Sequence, residues 1–274
     1  MCRVLEVSAS GYYGWAGRRP SERQKRHLRI AESVKKFHAR SKQIYGYRKV
    51  HNDLTQEDGW RCSAELVRRV MRRHGLRSKV KRKYIATTDS GHSYSVAPNR
   101  LDREFRATEQ NRKWVGDITY IRTREGWLYL SVIQDLYSRK IVGWAMAERI
   151  QSALVCEAFK MALQHRRPEP GLLFHSDRGV QYAAEEYQAL LSRNKVICSM
   201  SRKGNCWDNA CAENFFSRLK SEHIQDRVYA SRHEARQDVF WYIEVFYNRS
   251  RRHAALGYVS PVSFEEQQSW KKVA

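Results

Sequence analysis

The sequence predicts an α/β protein: a mixed five-strand sheet with flanking helices, preceded by a small all-α region. Three observations predict it. From residue 21 to residue 75, apolar residues recur at three- and four-residue intervals, the period of an amphipathic helix. Three β-rich runs then follow closely at 114–122 (WVGDITYIR), 127–136 (WLYLSVIQDL) and 141–147 (IVGWAMA), with links short enough for an antiparallel meander. Beyond them helical and extended patterns alternate, which adds two more strands and packs helices on the sheet.

In order along the chain, residues 1–20 read as short and turn-rich, with Gly11, Gly14, Gly17 and Pro20 punctuating aromatics. A first helix over 21–40 carries a stripe of Leu28, Ala31, Val34 and Phe37 or His38. A second opens at Tyr45-Gly46-Tyr47 and runs toward Gly59. A third has Ser63 as N-cap, Leu66, Val67, Val70 and Met71 as its apolar stripe, and Gly75 at its carboxyl end. Arg68, Arg69, Arg72 and Arg73 occupy its other faces. Two short helices, the second rich in arginine, suit a helix-turn-helix-like DNA-binding unit; a small bundle with a solvated basic face is the plain alternative. The later elements are a helix over 152–165, a strand over 172–177, a helix over 183–191, a strand over 196–200, a helix from about Asn209 and a long helix over 232–248. This organisation gives an N-terminal helical arm at 1–40, the helix-turn-helix-like region at 41–76, a basic linker at 77–106, a catalytic core at 107–226 and a C-terminal helical extension at 227–274.

The chain of 274 residues has 51 Lys and Arg against 29 Asp and Glu, a formal charge of +22. Such a surplus points to a polyanionic partner, nucleic acid first. It is uneven: residues 1–106 hold 26 basic and 10 acidic side chains, residues 107–274 hold 25 and 19. The first part is the expected general grip on double-stranded DNA and the second is closer to an enzyme. Six scattered cysteines lack a disulfide framework or a zinc pattern. The opening MCRVLEVSAS is not a signal peptide and no stretch spans a membrane, so a cytoplasmic protein is expected.

Three acids carry the chemistry. Asp117 lies within the first strand, where a charge is costly unless something pairs with it. Asp177 ends the apolar run LLFHSD, just before a turn at Arg178-Gly179, and strand ends face the crevice where open α/β sheets bind ligands. Glu213 sits on a helix whose N-cap candidate is Asp208 and whose apolar stripe is Ala212, Phe216 and Leu219; Lys220, seven residues on, returns to nearly the same face. Two strand acids and one helix acid, with 59 and 35 residues between them, make a hard oxygen site for a pair of Mg²⁺ or Mn²⁺ ions acting at a phosphodiester, with Lys220 beside a phosphate. Asp135 reads as a turn cap or an auxiliary ligand, and His175 as a packed histidine or a neighbour of the site.

The segments VSASGYYGW, YGYRKVHNDL, WVGDITYI, GWLYLSVIQDLYSRKIVGWAMA, LLFHSDRGVQY, SMSRKGNCWDNACAENFFSRLKSE and YNRSRRHAALGYVSP carry a resemblance over nearly the whole chain. It is similar to the orfB-type transposases of the insertion-sequence-three family, relatives of retroviral integrases. The resemblance implies a ribonuclease-H-like core with Asp117, Asp177 and Glu213 as the catalytic, metal-binding acids and Lys220 as the basic residue that follows them. It implies metal-dependent breakage at element ends, leaving 3′-hydroxyls that attack target DNA, without a covalent protein–DNA intermediate. It also implies an upstream-frame helix-turn-helix/leucine-zipper partner or fusion, assembly of several copies on DNA, and work in a prokaryotic cytosol at the nucleoid. Arg178, Lys220, Arg68, Arg69, Arg72 and Arg73 are the candidate DNA contacts. Gln134 and Asn214 depart from the family pattern, which has an apolar residue and a serine there. A hydrolytic nuclease and an inactive DNA-binding regulator are the competing functions.

Overall fold

The computed structural model describes residues 2, 4–79, 96–202, 206–224 and 227–273, and the chain divides into two units, Met1–Lys79 and Val80–Ala274. In the first unit, α1 (Ala9–Ala16) starts at Ser8, whose hydroxyl accepts the Gly11 N–H. The turn-rich reading of this stretch is thus corrected to a helix. It buries no side chain, so no core-facing stripe marked it. Helix α2 (Glu22–Arg40) opens with a capping box in which Ser21 and Gln24 exchange side-chain and backbone hydrogen bonds. Its buried stripe is Ile30, Ala31, Val34, Phe37 and His38; Leu28 is 62% exposed and lies outside the stripe expected for it. Helices α3 (Tyr47–Gln56) and α4 (Ala64–Arg73) pack with α2, burying Val50, Leu54, Val67 and Met71. The Ser63 hydroxyl caps α4, and Gly75, at φ 66°, takes the left-handed position just past its end.

In the second unit five strands, β1 (Lys113–Thr123), β2 (Gly126–Asp135), β3 (Ile141–Ala147), β4 (Leu173–Ser176) and β5 (Ile197–Met200), form one sheet in the order β3-β2-β1-β4-β5. The β1–β2–β3 meander is antiparallel, whereas β4 runs parallel to β1 and β5 parallel to β4. This is the ribonuclease-H-like α/β arrangement expected. Alternation along β1 separates two cores: Trp114 joins a cluster with Phe159 of α5 (Ser152–Arg166) and Tyr187 of α7 (Glu185–Arg193), and Val115 joins Leu101, Leu136 and Ala212. The expected helix over 183–191 is two pieces, α6 (Val180–Ala183) and α7, because Ala184 is extended. Helix α8 (Ala210–Leu219) follows a 3₁₀ turn and continues as a π turn, Lys220–Ile224. The long helix over 232–248 is α9 (Arg232–Phe240) followed by a π turn, Trp241–Tyr247, and α10 (Pro261–Val273) is a further helix within the stretch read as a helical extension.

Of the stretch read as a linker, residues 80–95 lie outside the described residues. Residues 96–106 include Leu101, 2% exposed, and the backbone N–H groups of Arg100 and Leu101 donate to the Ser199 hydroxyl on β5. Gln134, polar where the family is apolar, is buried with its amide donating to the Tyr247 hydroxyl at 2.9 Å and the Arg139 carbonyl at 3.0 Å. The segment YNRSRRH reaches the π turn after α8 through Arg251, 4% exposed, which forks onto Glu222 at 2.7 Å through Nε. Tyr242 donates to the same carboxylate. Removing one member of a buried pair strands the other charge, which typically costs about 3–5 kcal/mol. Arg251→Met is therefore expected to lower the unfolding free energy by about that amount, and Arg251→Met with Glu222→Leu to recover most of it, as read from urea denaturation midpoints.

Candidate active site at the end of the central strands

The parallel register between β1 and β4 pairs Val115 with His175. Asp117 follows Val115 by two residues along β1, and Asp177 follows His175 by two residues, just past the end of β4. β4 ends at Ser176, and the chain turns there: the Asp177 carboxylate accepts the Gly179 N–H at 2.9 Å. Asp117, in the middle of β1 and half-buried, accepts the N–H of its neighbour Ile118 at 2.8 Å. Glu213 arrives from the first turn of α8, whose Ala212, Phe215, Phe216 and Leu219 are buried, so the apolar stripe presses the helix onto the sheet as expected.

Electrostatics ties these groups together. Burial pushes the Asp117 carboxyl well above the usual carboxylate range, and the charges of Asp177 and Glu213 push it further; the Ile118 N–H and Lys220 pull the other way. Glu213 is raised by burial and then by Asp177. Lys220, at the first residue of the π turn, is lowered by burial and raised by Asp117, and its ammonium stands over the Tyr120 ring at 4.5 Å. Tyr182 of α6, unforeseen from the sequence, has its phenol raised by burial and by the charges of Asp117 and Asp177.

Three carboxylates thus lie within electrostatic reach of one another, with Lys220 as the cation that Asp117 feels. Among the described residues, no three His, Cys, Asp or Glu side chains close into a ready-made metal cluster. What fits a hard divalent cation is the chemistry of the donors: oxygen only, with more negative charge than Lys220 balances.

The neighbouring acids have other employment. Asp208, expected to cap α8, does not; Asn209 holds that position, without a side-chain cap bond. Asp208 is buried, and its carboxylate accepts from Asn99, Arg103 and Arg202; Arg202 first, and Arg103 with it, hold it far below the usual range. Asp135 is a turn cap, accepting the N–H groups of Asn111 and Tyr137. His175 is a packed histidine, fully buried between Ser199 at 2.8 Å and Ser201 at 3.2 Å. The Ser199 oxygen already accepts two backbone N–H groups, so its proton points to His175 Nδ1 and the ring stays neutral with Nε2 protonated.

Of the DNA-contact candidates, Arg178 is half-buried and donates through Nε to the Ser201 carbonyl. Arg68 forks onto Glu65 at 2.7 and 2.8 Å. Arg69, Arg72 and Arg73 are exposed on α4 and make no hydrogen bond or ion pair among the described residues.

Comparison with known proteins agrees with this architecture. Residues 107–206 and 213–268 each match an integrase core domain, and residues 25–84 match an HTH-like domain. A 31 kDa insertion element IS600 protein of Shigella sonnei is 44% identical over 97% of this chain and 98% of its own length. Transposase InsF for insertion sequence IS3A of Escherichia coli (strain K12) is 44% identical over 97% of this chain and 93% of its own. The catalytic core of HTLV-2 integrase, solved with magnesium in a trimeric form, is similar over 58% of this chain and 98% of that one, at 16% identity and a TM-score of 0.45. The chain belongs to the InsF family of insertion-sequence transposases. No helix among the described residues is long and apolar enough to cross a membrane.

Burial lowers the His175 pKa to about 4 from an ordinary 6.5. Above pH 6.5 the residue is neutral folded or unfolded. As pH falls from 6.5 to about 4, the unfolded chain takes up a proton that the folded one refuses, so stability drops, by about 3 kcal/mol in full. The stability gap between wild type and His175→Gln is expected to narrow across that window in denaturation series; a constant gap would assign the acid sensitivity elsewhere.

Proposed function

We propose that this transposase is a divalent-metal-dependent polynucleotidyl transferase that breaks DNA at insertion-sequence ends and joins the freed 3′-hydroxyls to target DNA, with Asp117, Asp177 and Glu213 as its catalytic acids. The observation that carries the reading is the raised carboxyl of Asp117, pushed up first by burial and then by the charges of Asp177 and Glu213. Two Mg²⁺ ions, or Mn²⁺ in their place, would activate the attacking oxygen and neutralise charge at the leaving one. Asp117 and Asp177 would hold them from the two central strands and Glu213 from α8, drawing the three carboxylates inward as their repulsion is relieved. Lys220, partly stripped of water, would neutralise a phosphate beside the reacting one. Arg178, held through Nε at the Ser201 carbonyl, would add positive charge beside the DNA backbone at the same strand end. Arg69, Arg72 and Arg73, with Arg68 behind its glutamate, would engage double-stranded DNA through the first unit. Several copies, with an upstream-frame helix-turn-helix/leucine-zipper partner or fusion, would bring both element ends to a target at the nucleoid.

Two experiments check this. Labelled element ends are supplied with target DNA and Mg²⁺ or Mn²⁺: joined product is expected from the wild type. Asp117→Asn, Asp177→Asn and Glu213→Gln should each fall to background while still binding the ends. Joining retained by any of the three removes that residue from the site, and cutting without joining would favour a hydrolytic nuclease. Separately, if the basic first unit neutralises about 6–10 phosphates, DNA affinity should fall about 10³–10⁵-fold between 50 and 200 mM salt. A flat salt response would mean the arginines of α4 are not a phosphate grip.

A further inference from the structure

The described part of the 3₁₀ turn before α8 carries two adjacent buried polar residues that point in different directions. Asp208, fully buried, is gripped from one side. Its Oδ2 accepts from the Arg202 backbone N–H, Arg202 Nε and Asn99 Nδ2, each at 3.0 Å, and its Oδ1 accepts from Arg103 Nε at 2.9 Å and Arg202 Nη2 at 3.0 Å. The 96–103 segment is held in turn by the Ser199 hydroxyl, and Asp102 takes a further bond from Arg202. The start of α8 is thus fixed to the β5 end of the sheet.

Asn209, 4% exposed, reaches the other way. Its Nδ2 donates to the Gly116 carbonyl at 3.2 Å, and Gly116 immediately precedes Asp117. Glu213 lies four residues beyond Asn209, about one helical turn along α8. The Asn209 amide therefore ties the peptide next to one acid to the helix that carries another. Gly116 itself makes room for the Phe174 ring: a Cβ there would stand 2.5 Å from it.

We infer that Asn209 is a positioning residue which, backed by the Asp208 clamp, sets the spacing between Glu213 and Asp117. The inference rests on the proposed metal site, since it supposes that this spacing matters to an ion the acids share. Three carboxylates that repel one another need an external frame to hold them ready, and a buried amide bonded to a strand carbonyl supplies one. Losing such an outer-shell partner typically weakens metal affinity about 10–100-fold.

The test is thermal melting of the full-length protein during a Mn²⁺ titration, which reads metal binding without any reaction. Wild type is expected to melt higher as Mn²⁺ rises, and Asp177→Asn to lose that shift. Asn209→Ala should need about 10–100-fold more Mn²⁺ for the half-maximal shift, while Asn209→Gln, which keeps the amide donor, recovers part of it. Should Asn209→Ala melt too low to titrate, Asn209→Leu, close in volume and without a donor, gives the same comparison. Half-saturation in these variants equal to wild type would overturn the positioning role while leaving the metal site standing. A wild-type shift that Asp177→Asn does not abolish would overturn the metal site, and the positioning role with it.

Discussion

The parallel pairing of β1 with β4 is the constraint on which everything at the site depends. It covers three residue pairs, Lys113–Val115 with Leu173–His175, and it ends just short of the two aspartates. A parallel pair needs a crossover connection to bring the second strand back. Here α5 provides it, burying Leu154, Val155, Ala158, Phe159 and Ala162. A slip of one residue in that pairing would part Phe174 from Trp114, which share a core cluster, so core packing and the candidate site depend on the same register.

Charge is arranged against local stability at the strand ends. Burial raises both Asp117 and Glu213, with Lys220 as the counter-charge acting on Asp117. Three other buried acids in this unit are balanced by cations: Asp208 by Arg103 and Arg202, Glu222 by Arg251, Glu265 by Arg166 and Lys140. The contrast between these matched pairs and the acids at Asp117, Asp177 and Glu213 is what the proposed cation site would draw on.

Much of this was legible in the sequence. The meander announced itself through β-branched and aromatic runs, and α8 through Ala212, Phe216 and Leu219, because both signals come from burial against a single partner. Where structure depends on remote partners, pattern misled or was silent. Asp208 looks like a helix cap by position, yet its partners Asn99 and Arg103 lie more than a hundred residues earlier. The extended Ala184, the two π turns and α10 left no periodic trace, and α1 buries no side chain to write one. Gln134 looked like a departure from the family until Tyr247 supplied its hydrogen bond.

The Glu222–Arg251 fork also bears on how the chain can be divided. Glu222 lies in the π turn that continues α8, the helix carrying Glu213, whereas Arg251 and Tyr242 come from the elements after it. A fragment trimmed after residue 226 would keep an inward-facing carboxylate and discard its counterion. Minimal versions of the second unit should accordingly run through the tyrosine- and arginine-rich tail, which belongs to the same unit as the acids.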